Sequence, residues 1–308
     1  MLFLNGPLVS RFADAVSFIL MASFWALNYP LVKFAYAYET PMALLFFRIL
    51  FAAVSSLIIF NRGIHIPRDL LTNLKILVFA LLNLVLFMGF WFAGEATESS
   101  ALSSIIIYSY PVITIALSSA FLKEKLSGLR IAGTAVGFVG LLFIFIQQLI
   151  IRPGIGLVFL VLAAVSWSVA TVYFRKYLVH VGSMTVNTLQ FIYALPFIVA
   201  FVVPFHMISI SGLTPKFLAI MVYMGALSTA VAYWIYMRLY TKYSVSEISA
   251  LFFAVPAISI VFSYFLLGEK NTIFTYFGFA LIAAGIFLSS RKMNSTVSKS
   301  DAVTSDNS

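Results

Sequence analysis

Along most of the chain there is no polar stripe. Apolar residues run for about 20 positions at a time, broken by short clusters of Gly, Pro and charge. The runs fall at roughly 13–35, 41–60, 73–94, 98–122, 127–148, 154–174, 183–203, 215–239, 245–267 and 271–290. A helix of about 20 residues crosses the ~30 Å hydrocarbon core of a bilayer. Barrel strands would instead alternate apolar and polar positions over about ten residues, and these runs are apolar on every face. Backbone groups in lipid must be paired within their own segment, which a helix does. The pattern therefore predicts an all-α polytopic membrane protein with ten transmembrane helices. Residues 293–308, MNSTVSKSDAVTSDNS, are small and polar and predict a disordered tail.

Composition agrees. Of 308 residues, 62% are hydrophobic and 9% charged, against about 45–50% and about 25% in soluble domains. No soluble surface could hide that much apolar side chain. The net charge of +9 does not point to nucleic acid, because the cations stand in ones and twos at the ends of apolar runs, where topology signals belong. Arg11 before the first run gives it the look of a signal peptide. The run is longer than the ~7–15 residues of such a core, and it matches a later segment, so it reads as a retained helix. With the N-terminus inside, 14 Lys and Arg fall in inner segments and four (Lys33, Arg152, Lys216, Lys270) in outer ones, leaving Arg48 within a span. The positive-inside rule then predicts a multi-pass protein of the cell membrane with both termini, and the tail, cytoplasmic.

The chain also repeats itself. Residues 101–145 align with 246–290 at an offset of 145 with eleven identities: Ser104, Pro111, Ile113, Ile115, Ser118, Leu122, Glu124, Lys125, Gly133, Ala135 and Gly140. The front halves align at an offset of 142, pairing Trp25 with Trp167, Lys33 with Arg175, Arg48 with Gln190 and Ala52 with Ala194. The reading is two five-helix units, 13–148 and 154–290. Five is odd, so the second unit enters from the opposite side, and the units are inverted. Inverted repeats allow two nearly equivalent packings, each open to one face, with the substrate between the halves near the midplane.

The tryptophan near the start of each half, Arg48 in the second helix and the pattern P…LxxEK…G carry a resemblance over residues 13–290. The pattern reads Pro111, Leu122, Glu124, Lys125, Gly133, and again Pro256, Leu267, Glu269, Lys270, Gly278. The chain resembles the drug/metabolite transporter superfamily, as an EamA-type transporter with two EamA repeats. It departs from the usual Trp-Gly start, since Ala26 follows Trp25 and Ser168 follows Trp167. The resemblance implies ten helices, a central cavity formed by eight of them, helices 5 and 10 as a peripheral pair used for homodimer contacts, and import or export of small metabolites, including amino acids.

Several residues are candidates for that cavity. Arg48 is the one charge well inside a run. A cation there needs a partner or water, so it serves either a carboxylate of the substrate or a structural lock; Gln190 is its uncharged counterpart. Trp25 and Asn28 share a helix face at i, i+3, beside Tyr29. The matching stretch offers Trp167, Ser168 and Thr171. Asn83 and Trp91 lie in helix 3. Tyr108, Ser109 and Tyr110 precede Pro111, matched by Phe253–Val255 before Pro256. Tyr233, Tyr236 and Tyr240 share one face of helix 8, with Tyr240 expected in the interfacial aromatic belt. Pro30, Pro111 and Pro256 are candidate hinges, since proline removes a backbone bond. Glu124 and Glu269 are expected to cap short turns before Ser127 and Thr272. Gly133, Gly137, Gly140, Gly278 and Gly285 let helices approach closely, either 5 against 10 or in a dimer.

The chemistry of catalysis and energy coupling is absent from the pattern. The ten carboxylates all sit near helix ends, in loops or in the tail, so no proton carrier is evident; Glu95, Glu98 and Glu247 come nearest. There is no phosphate-cradling loop for ATP, no cysteine and no clustered His for a metal. No cofactor or metal is expected. The reading is a secondary transporter of small polar or amphiphilic, amino-acid-like metabolites, expected to work by alternating access as an exporter. The alternatives are a channel-like facilitator and, less favoured for want of clustered His, Asp or Glu, a membrane-embedded enzyme.

Overall fold

A computed structural model describes residues 7–147, 154–267 and 272–290. The described chain contains ten helices long and apolar enough to cross a membrane. They are α1 Phe12–Val32, α2 Pro41–Gly63, α3 Leu70–Glu95, α4 Leu102–Leu122, α5 Gly128–Phe145, α6 Ile155–Tyr177, α7 Ser183–Val202, α8 Pro215–Lys242, α9 Val245–Phe262 and α10 Ile273–Ser290. The outer surface is apolar: Ile58, Leu70, Phe265 and Ile273 all lie largely exposed, as suits a chain whose solvent is lipid. Ten such helices with an apolar outer surface are the build of a multi-pass membrane protein.

The two halves run in opposite directions and interleave. α1 starts at the basic end of the bundle, where Asp14 pairs with Lys242 at the end of α8. α6 starts at the other end, where Gly156 abuts Thr97 and Glu98. α1 packs on α8 and α9, and α6 packs on α3 and α4. The first helix of each half thus lies against the third and fourth helices of the other. The repeat boundary in sequence is therefore not a boundary of packing.

Two irregularities are repeated as well. α3 and α8 each contain a π-helical turn, Leu81–Leu86 and Ala226–Val231, which correspond at the same offset of 145. The helix breaks fall just before the prolines. α1 breaks at Leu27, ahead of Pro30; α4 breaks at Tyr108 and Ser109, ahead of Pro111; α9 breaks at Phe252 and Phe253, ahead of Pro256. Proline has no N–H to give the preceding turn and its ring crowds the carbonyl four residues back.

α5 and α10 cross through their glycines. A Cβ on Gly133 would meet Ser289 and the carbonyl of Gly285, and a Cβ on Gly140 would lie 2.8 Å from the carbonyl of Gly278. Gly133 corresponds to Gly278 and Gly140 to Gly285, so the contact is reciprocal. Of the two uses expected for this stripe, crossing within the chain is the one observed.

Candidate functional site

Seven of the residues singled out as cavity candidates meet in one cavity. Trp25 and Asn28 of α1, Arg48 of α2, Trp91 of α3, Tyr108 of α4, Trp167 of α6 and Tyr233 of α8 line it, with Phe87, Met88 and Ile107 completing the wall. These last three carried no signal in the sequence, because an apolar residue in an apolar helix looks the same wherever it faces. The repeat-related tryptophans meet: the rings of Trp25 and Trp167 are 5.8 Å apart, edge to face. Trp167 is stacked between Phe87 at 4.8 Å and Tyr110 at 3.8 Å.

The polar groups of the wall are few. Arg48 is 1% exposed; its Nε donates to Thr229 Oγ1 at 2.8 Å, and its guanidinium lies 6.0 Å from the Trp91 ring. Trp25 Nε1 donates to the carbonyl of Ser228 at 2.9 Å. Both bonds reach the π turn of α8. The converse holds across the pseudo-two-fold: Ser166 Oγ donates to the carbonyl of Leu82 at 2.7 Å, inside the π turn of α3. Asn28 Oδ1 and Trp167 Nε1 are buried with no hydrogen-bond partner among the described residues. Such groups in a cavity wall are poised for a ligand or water.

Asn83, Gln190 and Tyr236 are not in this wall. Asn83 Nδ2 donates to Gln190 Oε1 at 2.9 Å, Gln190 Nε2 to Asn187 Oδ1 at 3.2 Å, and Asn187 Nδ2 to the carbonyl of Ala230 at 2.8 Å. This chain of amides ties α3, α7 and α8. Buried amides tend to satisfy one another; here Asn83 Oδ1 has no hydrogen-bond partner among the described residues.

Toward the basic end the cavity is closed by a hydroxyl cluster. Tyr110 shares hydrogen bonds with Tyr240 at 2.7 Å, Thr171 at 3.1 Å and Tyr236 at 3.4 Å; Thr171 also meets Tyr236 at 2.5 Å, and Tyr240 meets Ser249 at 3.1 Å. Tyr240 is fully buried and so is not an interfacial belt residue. Its place near a helix end invited that reading, but the packing of α4 and α9 over it decides otherwise.

Beyond the cluster lies a set of charged contacts. Lys123 ends α4 in a left-handed conformation, φ 56°, which turns the chain toward α9. Glu124 accepts the backbone N–H groups of Val245 and Ser246 at 2.8 and 3.0 Å. It caps the opposite half's helix, not its own turn, while Ser127 caps α5 by accepting from Arg130 N. A carboxylate at a helix N-terminus satisfies orphan donors and complements the dipole. Arg130 donates to Ser246 at 2.8 Å and pairs with Glu247 at 3.1 Å. Arg175 donates to the carbonyl of Tyr240 at 2.7 Å. Glu269 and Lys270 lie outside the described residues.

The opposite end is open. A vestibule of about 510 Å³ is lined by Tyr36, Glu39, Thr40, Glu95 and Ser209 among others. Glu95 lies one helical turn beyond Trp91, so the vestibule begins about 6 Å above the cavity wall. Glu39 accepts the Ser209 N–H at 3.0 Å. Burial, reinforced by the Glu95 carboxylate, holds the Tyr36 phenol well above its ordinary pKa, so it stays a neutral donor. Among the described residues no cluster of His, Asp and Glu is arranged to hold a metal.

The profile of the EamA-like transporter family matches residues 14–146 and 154–291, once per half. An uncharacterized transporter of Bacillus subtilis, YvbV, is 29% identical over 87% of this chain and 88% of its own length. A protein of Escherichia coli named a probable amino-acid metabolite efflux pump is 24% identical over 89% and 94%. A solved crystal structure shares the fold at a TM-score of 0.79 and 16% identity, over 90% of this chain and 96% of its own. The chain, with its two inverted five-helix repeats, belongs to the EamA-like transporter family.

Proposed function

We propose that the chain is a secondary transporter that exports amino-acid-like metabolites across the cytoplasmic membrane by alternating access. One observation carries this reading. The paired tryptophans of the two inverted halves meet in the wall of a cavity that also holds a buried cation. Arg48 is suited to a carboxylate, Asn28 Oδ1 to an ammonium or hydroxyl, Trp167 Nε1 to an acceptor, and the tryptophan faces to an apolar side chain. Export as the direction follows the name of the E. coli relative, a probable efflux pump. The basic end faces the cytoplasm by the positive-inside rule, and the shape described is then the one with its vestibule to the outside.

The cavity measures about 30 Å³, room for about two waters. Sites that enclose small molecules reach about 300 Å³ or more. The walls must therefore part to load a substrate, and the breaks before Pro30, Pro111 and Pro256 are the places where the helices can bend. A homodimer through α5 and α10 would use their outer faces, such as Leu129, Ile131, Phe277 and Phe287, because the glycine faces are already in contact.

The deciding experiment is counterflow. Proteoliposomes preloaded with an unlabelled amino acid should take up its labelled form against no net gradient, with saturation. Flux that neither saturates nor shows counterflow would mean a channel.

The contacts at the basic end should act as a latch. The chain has no cysteine, so a single Met88→Cys reporter in the cavity wall reads access without background. Removing the two charged hydrogen bonds in Glu124→Ala is expected to speed labelling from the basic side by about tenfold or more. Unchanged labelling would remove the latch from the mechanism.

A further inference from the structure

On the lipid-facing side of the bundle, near its basic end, a hollow of about 170 Å³ lies between α4 and α6. Leu117 and Phe121 line it from α4, and Val169 and Tyr173 from α6, with Tyr177 and Lys176 at the rim. In a bilayer such a hollow is filled by an acyl chain, because an unfilled void forfeits dispersion contacts on its whole lining.

The rim adds a choice of headgroup. Two ammonium groups converge on the Tyr177 ring: Lys176 Nζ is 5.4 Å from its centroid, and Lys75 Nζ, from α3, is 5.9 Å. Tyr173 supports that ring at 4.8 Å. The ion pairs found among the described residues join Arg130 to Glu247 and Lys242 to Asp14, and neither lysine of the rim takes part. Asp69 feels the charge of Lys75, but its carboxylate is exposed and accepts the Thr72 N–H at 2.7 Å as the cap of α3.

We propose that this hollow is a binding site for an anionic phospholipid. One acyl chain lies between α4 and α6, and the headgroup phosphate is held between Lys75 and Lys176 over the Tyr177 ring. A zwitterionic lipid would bring its own cation against two ammonium groups, whereas phosphatidylglycerol would not. The site rests on the membrane reading of the chain and is independent of what the central cavity carries.

Native mass spectrometry of the purified full chain in detergent tests it, counting phosphatidylglycerol or phosphatidylcholine of the same acyl chains. Each ammonium favours an anionic headgroup about fivefold, so phosphatidylglycerol should bind roughly tenfold to twenty-fivefold better. K75Q/K176Q should erase that preference. R62Q/K125Q, which takes the same charge from exposed positions of the same end, should keep it. Val169→Phe, which fills the hollow, should weaken both lipids. Glycerol phosphate without acyl chains should not bind. The proposal falls if K75Q/K176Q retains the preference, if R62Q/K125Q loses as much of it, if Val169→Phe changes nothing, or if glycerol phosphate binds equally well.

Discussion

Arg48→Gln is expected to reduce transport of a carboxylate-bearing substrate by about tenfold to a hundredfold, while transport of the corresponding amide changes little. The magnitude is that of one charge-assisted hydrogen bond, about 1.5–3 kcal/mol. The sequence leaves two roles open for Arg48, a substrate contact or a lock, and the structure shows why they are hard to separate. Its guanidinium stands in the cavity wall, while its Nε bonds Thr229 in the π turn of the other half. A pure lock would lower the flux of acid and amide alike and would lower the melting temperature as well. The acid-to-amide ratio is the quantity to measure, and a ratio unchanged by the substitution assigns Arg48 to structure. Arg48→Lys, which keeps the charge but not the fork of donors, should recover part of the loss.

Gly140→Leu should destabilise the fold by about 3 kcal/mol, toward the upper end of what overpacking costs. A Cβ at Gly140 would lie 2.8 Å from the carbonyl of Gly278 and 2.8 Å from the backbone nitrogen of Ile282. Neither is the end of a flexible side chain, so no rotamer relieves the clash and the helices have to separate. Gly128, in the first turn of the same helix, is the control: a Cβ there meets nothing within 4 Å, and Gly128→Ala should be neutral or slightly stabilising. Thermal unfolding in one detergent ranks the two. If Gly140→Leu melts with Gly128→Ala, the α5–α10 crossing is not what holds these helices together.

Much of the architecture was readable because the bilayer imposes one rule on every span. Runs apolar on all faces can only be helices in lipid, and an odd number of them per repeat inverts the copy. The tryptophan pair, Arg48 and Asn28 were legible for the related reason that a polar or bulky group in such a run has to be accounted for. What escaped depends on partners far along the chain. Glu124 lies 121 residues from Val245, and nothing local tells an intrahelical cap from a clasp across halves. Tyr240 sits where belt residues sit, and only the approach of Tyr110 and Ser249 buries it. Asn83 and Gln190 are candidates for the cavity by sequence, but they bond each other, and Gln190 also bonds Asn187, away from the wall. The π turns leave no trace in hydrophobicity, since one extra residue in a uniformly apolar helix alters no pattern.

That extra residue has a mechanical meaning. Successive residues of an α-helix are set about 100° apart around its axis, and a π turn amounts to one residue inserted. Drawing the slack out of Leu81–Leu86 would swing Phe87, Met88 and Trp91 around α3 by that angle. The matching slack in Ala226–Val231 would swing Tyr233, Tyr236 and Tyr240 around α8. Because each of these turns is gripped by side chains from the opposite half, any sliding of one half on the other pulls directly on a spindle. The lining of the passage would then turn and shift by one residue's rise as the walls part, adding rotation to the bending at the proline breaks.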